Sequence, residues 1–100
     1  MTLKMSVYYA APEDPDAFES RYLEGHLPLA KSYPNIKHAS FHKVGRKLIG
    51  DFAYAYVFTG TWDDKDAWKA DMGSPESEKV NADADTFNVE RTVVIYDQLA

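Results

Sequence analysis

The sequence has 100 residues, which predicts one domain, 1–100, with a modest hydrophobic core. Its net charge of −5 argues against the basic surface that nucleic-acid binding needs. The chain has no cysteine, which excludes thiolate zinc sites and fits a reducing cytoplasm. The longest apolar run, Phe52–Phe58, is too short to span a bilayer, and Lys4 and Ser6 interrupt any signal-peptide pattern. We therefore expect a cytoplasmic protein that binds neither nucleic acid nor membrane.

The first third of the chain predicts a strand followed by a helix. Apolar side chains alternate along Leu3–Ala10, which is typical of a strand. Asp14 fits the N-cap of the following helix, and Pro15 fits its first turn. Because Pro28 cannot donate a backbone hydrogen bond, this helix is expected to break or kink at Gly25–Leu27. The inner face of the helix is predicted to carry Phe18, Tyr22, His26, Leu29 and Tyr33.

The rest of the chain predicts three more strands and a second helical region. The strands are Ile36–Val44, Phe52–Thr59 and Thr92–Tyr96, and the helices are Thr61–Met72 and Glu76–Phe87. This order predicts an α+β, ferredoxin-like βαββαβ domain with a four-stranded antiparallel sheet and helices on one face. The predicted third and fourth strands are apolar on both faces, so a second copy is expected to cover the bare face. The expected assembly is a homodimer that forms a dimeric α+β barrel.

Three segments resemble the EthD family, and the resemblance covers nearly the whole chain. They are Tyr8–Phe18, Tyr22–Ala30 with its His26-Leu27-Pro28-Leu29 sequence, and Ser74-Pro75-Glu76. The family is named after a protein of ethyl tert-butyl ether degradation and is similar to cofactor-free enzymes such as methylmuconolactone isomerases. The resemblance implies a ferredoxin-like subunit of a dimeric α+β barrel, a ligand between helices and sheet, and proton transfer by His26. The family often has two tyrosines before this histidine, where this chain has Arg21-Tyr22.

Two side chains are candidate catalytic residues. His26 is the titratable group on the predicted inner helix face and could transfer protons near neutral pH, or it could satisfy a kinked backbone. Tyr22, one turn earlier, could donate a hydrogen bond to a ligand oxygen or simply pack in the core. His38 and His42 lie about 13 Å apart along a strand, so they predict no metal site, and no motif predicts an organic cofactor. The candidate ligand-binding residues are Phe18, Leu29, Phe41, His42, Tyr54 and Tyr56.

Three functional interpretations follow from these residues. The preferred one is a cofactor-free isomerase, cyclase or lyase that acts on a small, largely apolar oxygenated molecule through proton transfer by His26. The first alternative is a non-catalytic ligand-binding or accessory protein of a degradation pathway that uses the same cleft. The second alternative is a small oxygenase. The aromatic row that includes Tyr54 and Tyr56 could line this cleft or form the core of the barrel.

Overall fold

The computed structural model describes residues Met1–Ala100 as a four-stranded sheet with helices packed on one face. The strands are β1 (Leu3–Tyr9), β2 (His38–Lys43), β3 (Tyr56–Trp62) and β4 (Arg91–Asp97). The helical segments are α1 (Pro15–Arg21), a π-helical turn (Tyr22–His26), α2 (Leu27–Lys31), α3 (Lys65–Met72) and α4 (Pro75–Asp85). The strand order is β2-β3-β1-β4, and all neighbouring strands are antiparallel. The predicted ferredoxin-like α+β fold is confirmed, with its second helical region divided into two helices.

The helices cover the sheet face on which alternate residues of β1 and β3 are large and apolar. Tyr9 of β1 lies opposite Tyr56 of β3, and Val7 lies opposite Phe58, so all four side chains point toward the helices. Phe18 of α1 packs into the same buried cluster. A second buried cluster consists of Leu3, Met5, Tyr33 and Trp62. These two clusters form the core between helices and sheet.

The other side of the sheet, which we call the uncovered face, is mixed in polarity. Lys4 and Ser6 of β1 bond there to Thr61 and Thr59 of β3, each over 3.0 Å. The predicted apolar patch on this face is therefore wrong for β3, whose uncovered positions hold Val57 and two threonines. The reason is the register of β3, which begins later in the chain than its aromatic pattern indicates. The uncovered face comprises Lys4, Ser6, Tyr8, His38, Ser40, His42, Val57, Thr59, Thr61, Thr92, Val94 and Tyr96.

The observed β3 starts at Tyr56, four residues after the predicted start at Phe52. Phe52 and Tyr54 belong to the segment before the strand and pack against Tyr8, with ring centroids 5.9 and 5.5 Å away. The Tyr54 hydroxyl also bonds to Thr92 Oγ1 over 2.7 Å. These contacts turn Tyr54 to the uncovered face while Tyr56 faces the helices, so the predicted single row of aromatic side chains is wrong.

The end of β3 lies where the sequence predicts the start of a helix. Thr61 and Trp62 close the strand, and helix α3 begins at Lys65 with Asp64 as its N-cap. Trp62 is fully buried, and its Nε1 donates to Asp71 Oδ2 over 2.7 Å. Its ring occupies the space where a Cβ of residue 60 would stand, which explains Gly60. The stabilisation from burying this indole therefore outweighs the local sequence pattern that predicts a helix from Thr61.

A π-helical turn replaces the kink predicted at Gly25–Leu27. The Leu27 N–H donates to the Tyr22 carbonyl, five residues earlier, so the helix stays continuous through the turn. This wider turn accommodates the missing N–H of Pro28, and it adds one residue to the helical register. Consequently Ala30, which is buried, takes the inward position predicted for Leu29, which is half-buried.

Candidate active site

His26 is the last residue of the π-helical turn, and its side chain points into the core between helices and sheet. It is 3% exposed. Its ring centroid lies 4.8 Å from that of Tyr22 and 5.0 Å from that of Phe87. Such π turns inside helices often occur at functional sites, because they re-aim one side chain without ending the helix. The sequence therefore produces an inward imidazole through Pro28 and the turn it requires.

Asp83 of α4 holds the His26 ring in place. His26 Nδ1 lies 2.8 Å from Asp83 Oδ2, while Asp83 Oδ1 accepts a hydrogen bond from Arg21 over 2.9 Å. An ionised carboxylate can only accept, so Nδ1 carries the proton and Nε2 keeps its lone pair. Arg21 also donates to Thr86 Oγ1 over 2.5 Å, which ties α1 to the end of α4.

The environment of His26 favours the neutral imidazole. Burial lowers the pKa of His26 below its ordinary value, and the nearby charges of Arg21 and Arg91 lower it further. The hydrogen bond and charge of Asp83 raise the pKa and oppose these effects only in part. His26 lines the cavity described below, and within the protein only its Nδ1 is hydrogen-bonded, so Nε2 is the ring nitrogen available to a bound molecule.

The Tyr22 ring lies against the imidazole, and its hydroxyl is paired with that of Tyr9. The Tyr9 and Tyr22 oxygens are 3.3 Å apart and bond to each other. Burial raises the pKa of both phenols, so both remain protonated near neutral pH. One hydroxyl proton is used between them, and the other is free for a ligand oxygen. Tyr22 is held by stacking on Phe41, with ring centroids 3.8 Å apart.

A small cavity joins these groups. Its volume is about 110 Å³, and most of its lining is apolar, including Val7, Ala30, Phe58 and Val93. It lies between the helices and the β1 and β4 side of the sheet, next to residues of β4 that the helices leave exposed. The lining residues that contain polar side-chain atoms are Tyr9, Tyr22, His26, Tyr33, Asn81 and Arg91.

The structure brings only some of the predicted site residues to this cavity. Tyr22 and His26 line it, whereas Phe18, Phe41 and Tyr56 form the aromatic core next to it. Leu29 lies outside the lining because of the register change in the π turn. His42 and Tyr54 are on the opposite, uncovered side of the sheet. For the residues outside the lining, a role in ligand binding stays a prediction.

Sequence reasoning missed Asp83, Tyr9 and Arg91. Asp83 had a usable signal, since it lies three residues after Val80 and next to Ala84 on the inward stripe of α4, where a charged residue needs a buried partner. Arg91 and Tyr9 gave no comparable signal, because their proximity depends on the pairing of β1 with β4. No group of three or more side chains of the metal-binding types comes together, and no helix has the length and apolarity needed to cross a membrane.

Comparison with known proteins places this architecture among solved structures. No protein-family model matches the chain, and no curated protein was found to be similar to it. An EthD family protein from Bacillus halodurans superposes with a TM-score of 0.88 at 23% identity, over 99% of this chain and 100% of that one. A dimeric ferredoxin-like protein from Thermobifida fusca gives 0.74 at 17% identity, over 98% and 92%. A point mutant of SnoaB from Streptomyces nogalater, a cofactor-independent oxygenase, gives 0.73 at 13% identity, over 99% and 94%.

These likenesses confirm at the level of the fold what the sequence predicts. The superposition with the EthD family protein extends over both chains almost completely. The order of the strands and the position of the helices agree with a ferredoxin-like domain. The chain therefore has the ferredoxin-like α+β fold of an EthD family protein.

Proposed function

We propose that this protein is a member of the EthD family that binds a small, largely apolar oxygenated molecule and transfers a proton on it without a cofactor. The observation that carries the proposal is the geometry of His26. Its ring is buried, Asp83 accepts from Nδ1 over 2.8 Å, and His26 lines a largely apolar cavity while Nε2 has no partner within the protein. This is the arrangement of a general base whose tautomer is set by a carboxylate.

The neighbouring groups suit a proton abstraction next to a carbonyl group. His26 Nε2 would take a proton from the carbon beside the carbonyl, and Asp83 would stabilise the imidazolium that forms. The free hydroxyl proton of the Tyr9–Tyr22 pair would bond to the oxygen as it becomes an enolate. Because the pKa of His26 is lowered, the C–H bond must already be acidified by the carbonyl. Return of the proton to another carbon would complete an isomerisation.

The experiment that tests this proposal is exchange of ligand hydrogens with solvent deuterium. Small cyclic ketones and lactones are incubated with protein in D₂O, and loss of the α-proton signal is followed by NMR. We expect His26→Gln to lower the exchange rate by about 10²–10⁴-fold, as removal of a general base does. The matched control is Lys65→Gln, which removes an exposed charge on α3 outside the cavity lining and should leave the rate unchanged.

Ligand binding without turnover is the second candidate function. The cavity, at about 110 Å³, is smaller than the several hundred Å³ of most ligand sites, which favours a small molecule held in one orientation. In that case NMR would detect binding with no deuterium incorporation in any compound. Oxygen uptake in the same samples would instead support an oxygenase, because the carbanion formed by proton abstraction could react with O₂.

We also infer that two copies associate through the uncovered face and the adjoining β4. Four consecutive residues of β4 are exposed although they are apolar or aromatic: Val93 by 54%, Val94 by 38%, Ile95 by 42% and Tyr96 by 38%. An exposed apolar edge strand is rarely left without a partner, because its unpaired backbone groups can form hydrogen bonds with strands of other molecules. A symmetric pair would cover the side chains on the uncovered face and place the partner beside the mouth of the cavity.

A further inference from the structure

Arg91 differs from every other residue that lines the cavity. Among the residues that line the cavity, Arg91 alone carries a permanent charge, because His26 is neutral and the lining contains no lysine, aspartate or glutamate. Arg91 is the first residue of β4 and lies directly opposite Tyr9 on the covered face of the sheet. The cavity lining thus contains a cation on β4 opposite Tyr9, the bonded hydroxyls of Tyr9 and Tyr22, and the His26 imidazole.

The ion pair of Arg91 leaves most of its donors available. One terminal nitrogen donates to Asp85 Oδ1 over 2.9 Å, and that carboxylate is 69% exposed. Because solvent screens such an exposed ion pair, the pair contributes little to stability. It also leaves the charge on the cavity side of the guanidinium without a neutralising partner. The remaining N–H groups have the planar, forked arrangement that binds a carboxylate through two parallel hydrogen bonds. Arg91 itself is only 25% exposed, so a bond to an anion there would be partly shielded from water.

We propose that the molecule bound in this cavity is a small carboxylate that also contains a ketone or lactone carbonyl, and that Arg91 binds the carboxylate. The inference rests on the proposed function and names its substrate class. The carboxylate would lie at Arg91, the carbonyl oxygen at the Tyr9–Tyr22 pair, and the acidified carbon at His26 Nε2. Burial raises the pKa of Tyr9, and the positive charge of Arg91 offsets part of this rise, which agrees with the position of Arg91 opposite Tyr9 in the sheet. An apolar cavity with a single cation selects an anion whose remaining surface is apolar.

The test uses a matched pair of probes, 3-oxocyclopentane-1-carboxylate and its primary amide, which have nearly the same shape and differ in charge. Affinity is measured by calorimetric titration, and deuterium exchange at the carbons beside the ketone is followed by NMR in D₂O. The variants are Arg91→Gln, which removes the charge, and Asp85→Asn, which removes only the exposed partner. His26→Gln serves to separate binding from proton transfer.

The expected result is a clear preference for the carboxylate. It should bind about tenfold or more tightly than the amide, because a bidentate charged hydrogen bond is much stronger than a neutral one. Arg91→Gln should abolish the preference with little change in amide affinity, whereas Asp85→Asn should retain it. His26→Gln should keep the preference and lose the exchange.

Three results would overturn the inference, and the exchange measurement keeps the proposed function distinguishable from it. Equal affinity for both probes, or a preference that survives Arg91→Gln, shows that Arg91 only pairs with Asp85. If exchange still depends on His26 in that case, the proton-transfer function stands without the carboxylate. If the carboxylate is preferred but no exchange occurs, the substrate class stands and the catalytic function fails. Failure of the carboxylate to bind at millimolar concentration also contradicts the inference.

Discussion

At the scale of single residues, His26 combines burial with a carboxylate partner, and the two act on its protonation in opposite directions. Burial has the larger effect and lowers the pKa, while Asp83 raises it. A lowered pKa keeps the imidazole unprotonated at the pH of a cell, which a general base needs, although it also makes the base weaker. The structure therefore combines a weak base with hydroxyls that can stabilise the enolate.

The pH dependence follows from this direction. We expect the exchange rate to fall as the pH drops through the folded-state pKa of His26, which lies below the ordinary value of about 6.5. The free energy of unfolding should fall as the pH drops from about 6.5 to the folded-state pKa, because in this range the unfolded chain binds a proton that the folded protein does not bind. Above about pH 6.5 both the exchange rate and the free energy of unfolding should be constant with respect to this group. NMR titration of the His26 Cε1 proton measures the midpoint, and a midpoint above 6.5 would show that burial does not control the protonation of His26.

Asp83→Asn tests the partner of the imidazole. An amide keeps the shape but removes the charge that raises the pKa of His26, so the midpoint of the titration should move to lower pH. Exchange above the midpoint should slow by about tenfold or more, because an uncharged partner stabilises the imidazolium less. The carboxylate preference assigned to Arg91 should persist. An unchanged midpoint together with an unchanged rate would show that Asp83 serves only its bond to Arg21.

At the scale of elements, the π-helical turn decides which side chains reach the cavity. The turn places Ala30, 2% exposed, against the cavity and leaves Leu29 half-buried outside it. We expect Ala30→Leu to fill the cavity and lower ligand affinity by about tenfold or more, with a stability cost of about 1–3 kcal/mol from overpacking. Leu29→Ala is the matched control and should leave affinity unchanged. Calorimetric titration of both variants measures the difference, and the reverse order of effects would indicate an uninterrupted α-helical register.

Asp71 links α3 to the end of β3 and to the segment before β2. This buried carboxylate accepts from Trp62 Nε1, from the Asn35 backbone N–H and from the Asn35 side chain, over 2.7 to 3.2 Å. Asp71→Ala would leave the buried indole N–H without a partner, which costs about 3 kcal/mol. Chemical unfolding should show this loss, while ligand affinity per folded molecule stays unchanged. A loss under about 0.5 kcal/mol would mean that the partners find other acceptors.

The start of α1 was predicted correctly from the sequence, whereas the limits of β3 were not. Asp14 caps α1 by accepting from the Ala17 N–H over 3.2 Å, as the Asp14-Pro15 pair predicts, because capping depends on residues close in sequence. The limits of β3 were mispredicted because its aromatic pattern continues from Phe52 into a segment that packs on Tyr8 instead. The site was half predicted: His26 and Tyr22 share a helix, but Asp83 and Arg91 reach them only through tertiary packing.

At the scale of the whole molecule, the proposed dimer has a direct test. Light scattering after size exclusion should give a mass about twice the 11.3 kDa of one chain. Val94→Glu and Tyr96→Glu place a charge on the uncovered face of β4 and should produce monomers. Lys65→Glu on α3 changes the charge on the opposite side and should leave the dimer intact. A monomer at micromolar concentration would contradict the proposed association.

The proposed proton transfer requires that Asp83 direct the His26 proton to Nδ1 and leave Nε2 free toward the cavity. Long-range ¹⁵N–¹H NMR of the imidazole near neutral pH reports this directly, because protonated and unprotonated ring nitrogens differ widely in ¹⁵N chemical shift. We expect a protonated Nδ1 and an unprotonated Nε2 whose resonance moves when a ligand binds, with His38 unaffected as an internal reference. A proton on Nε2, with Nδ1 bare beside Asp83, would contradict the claim, because the cavity would then face a donor instead of a base.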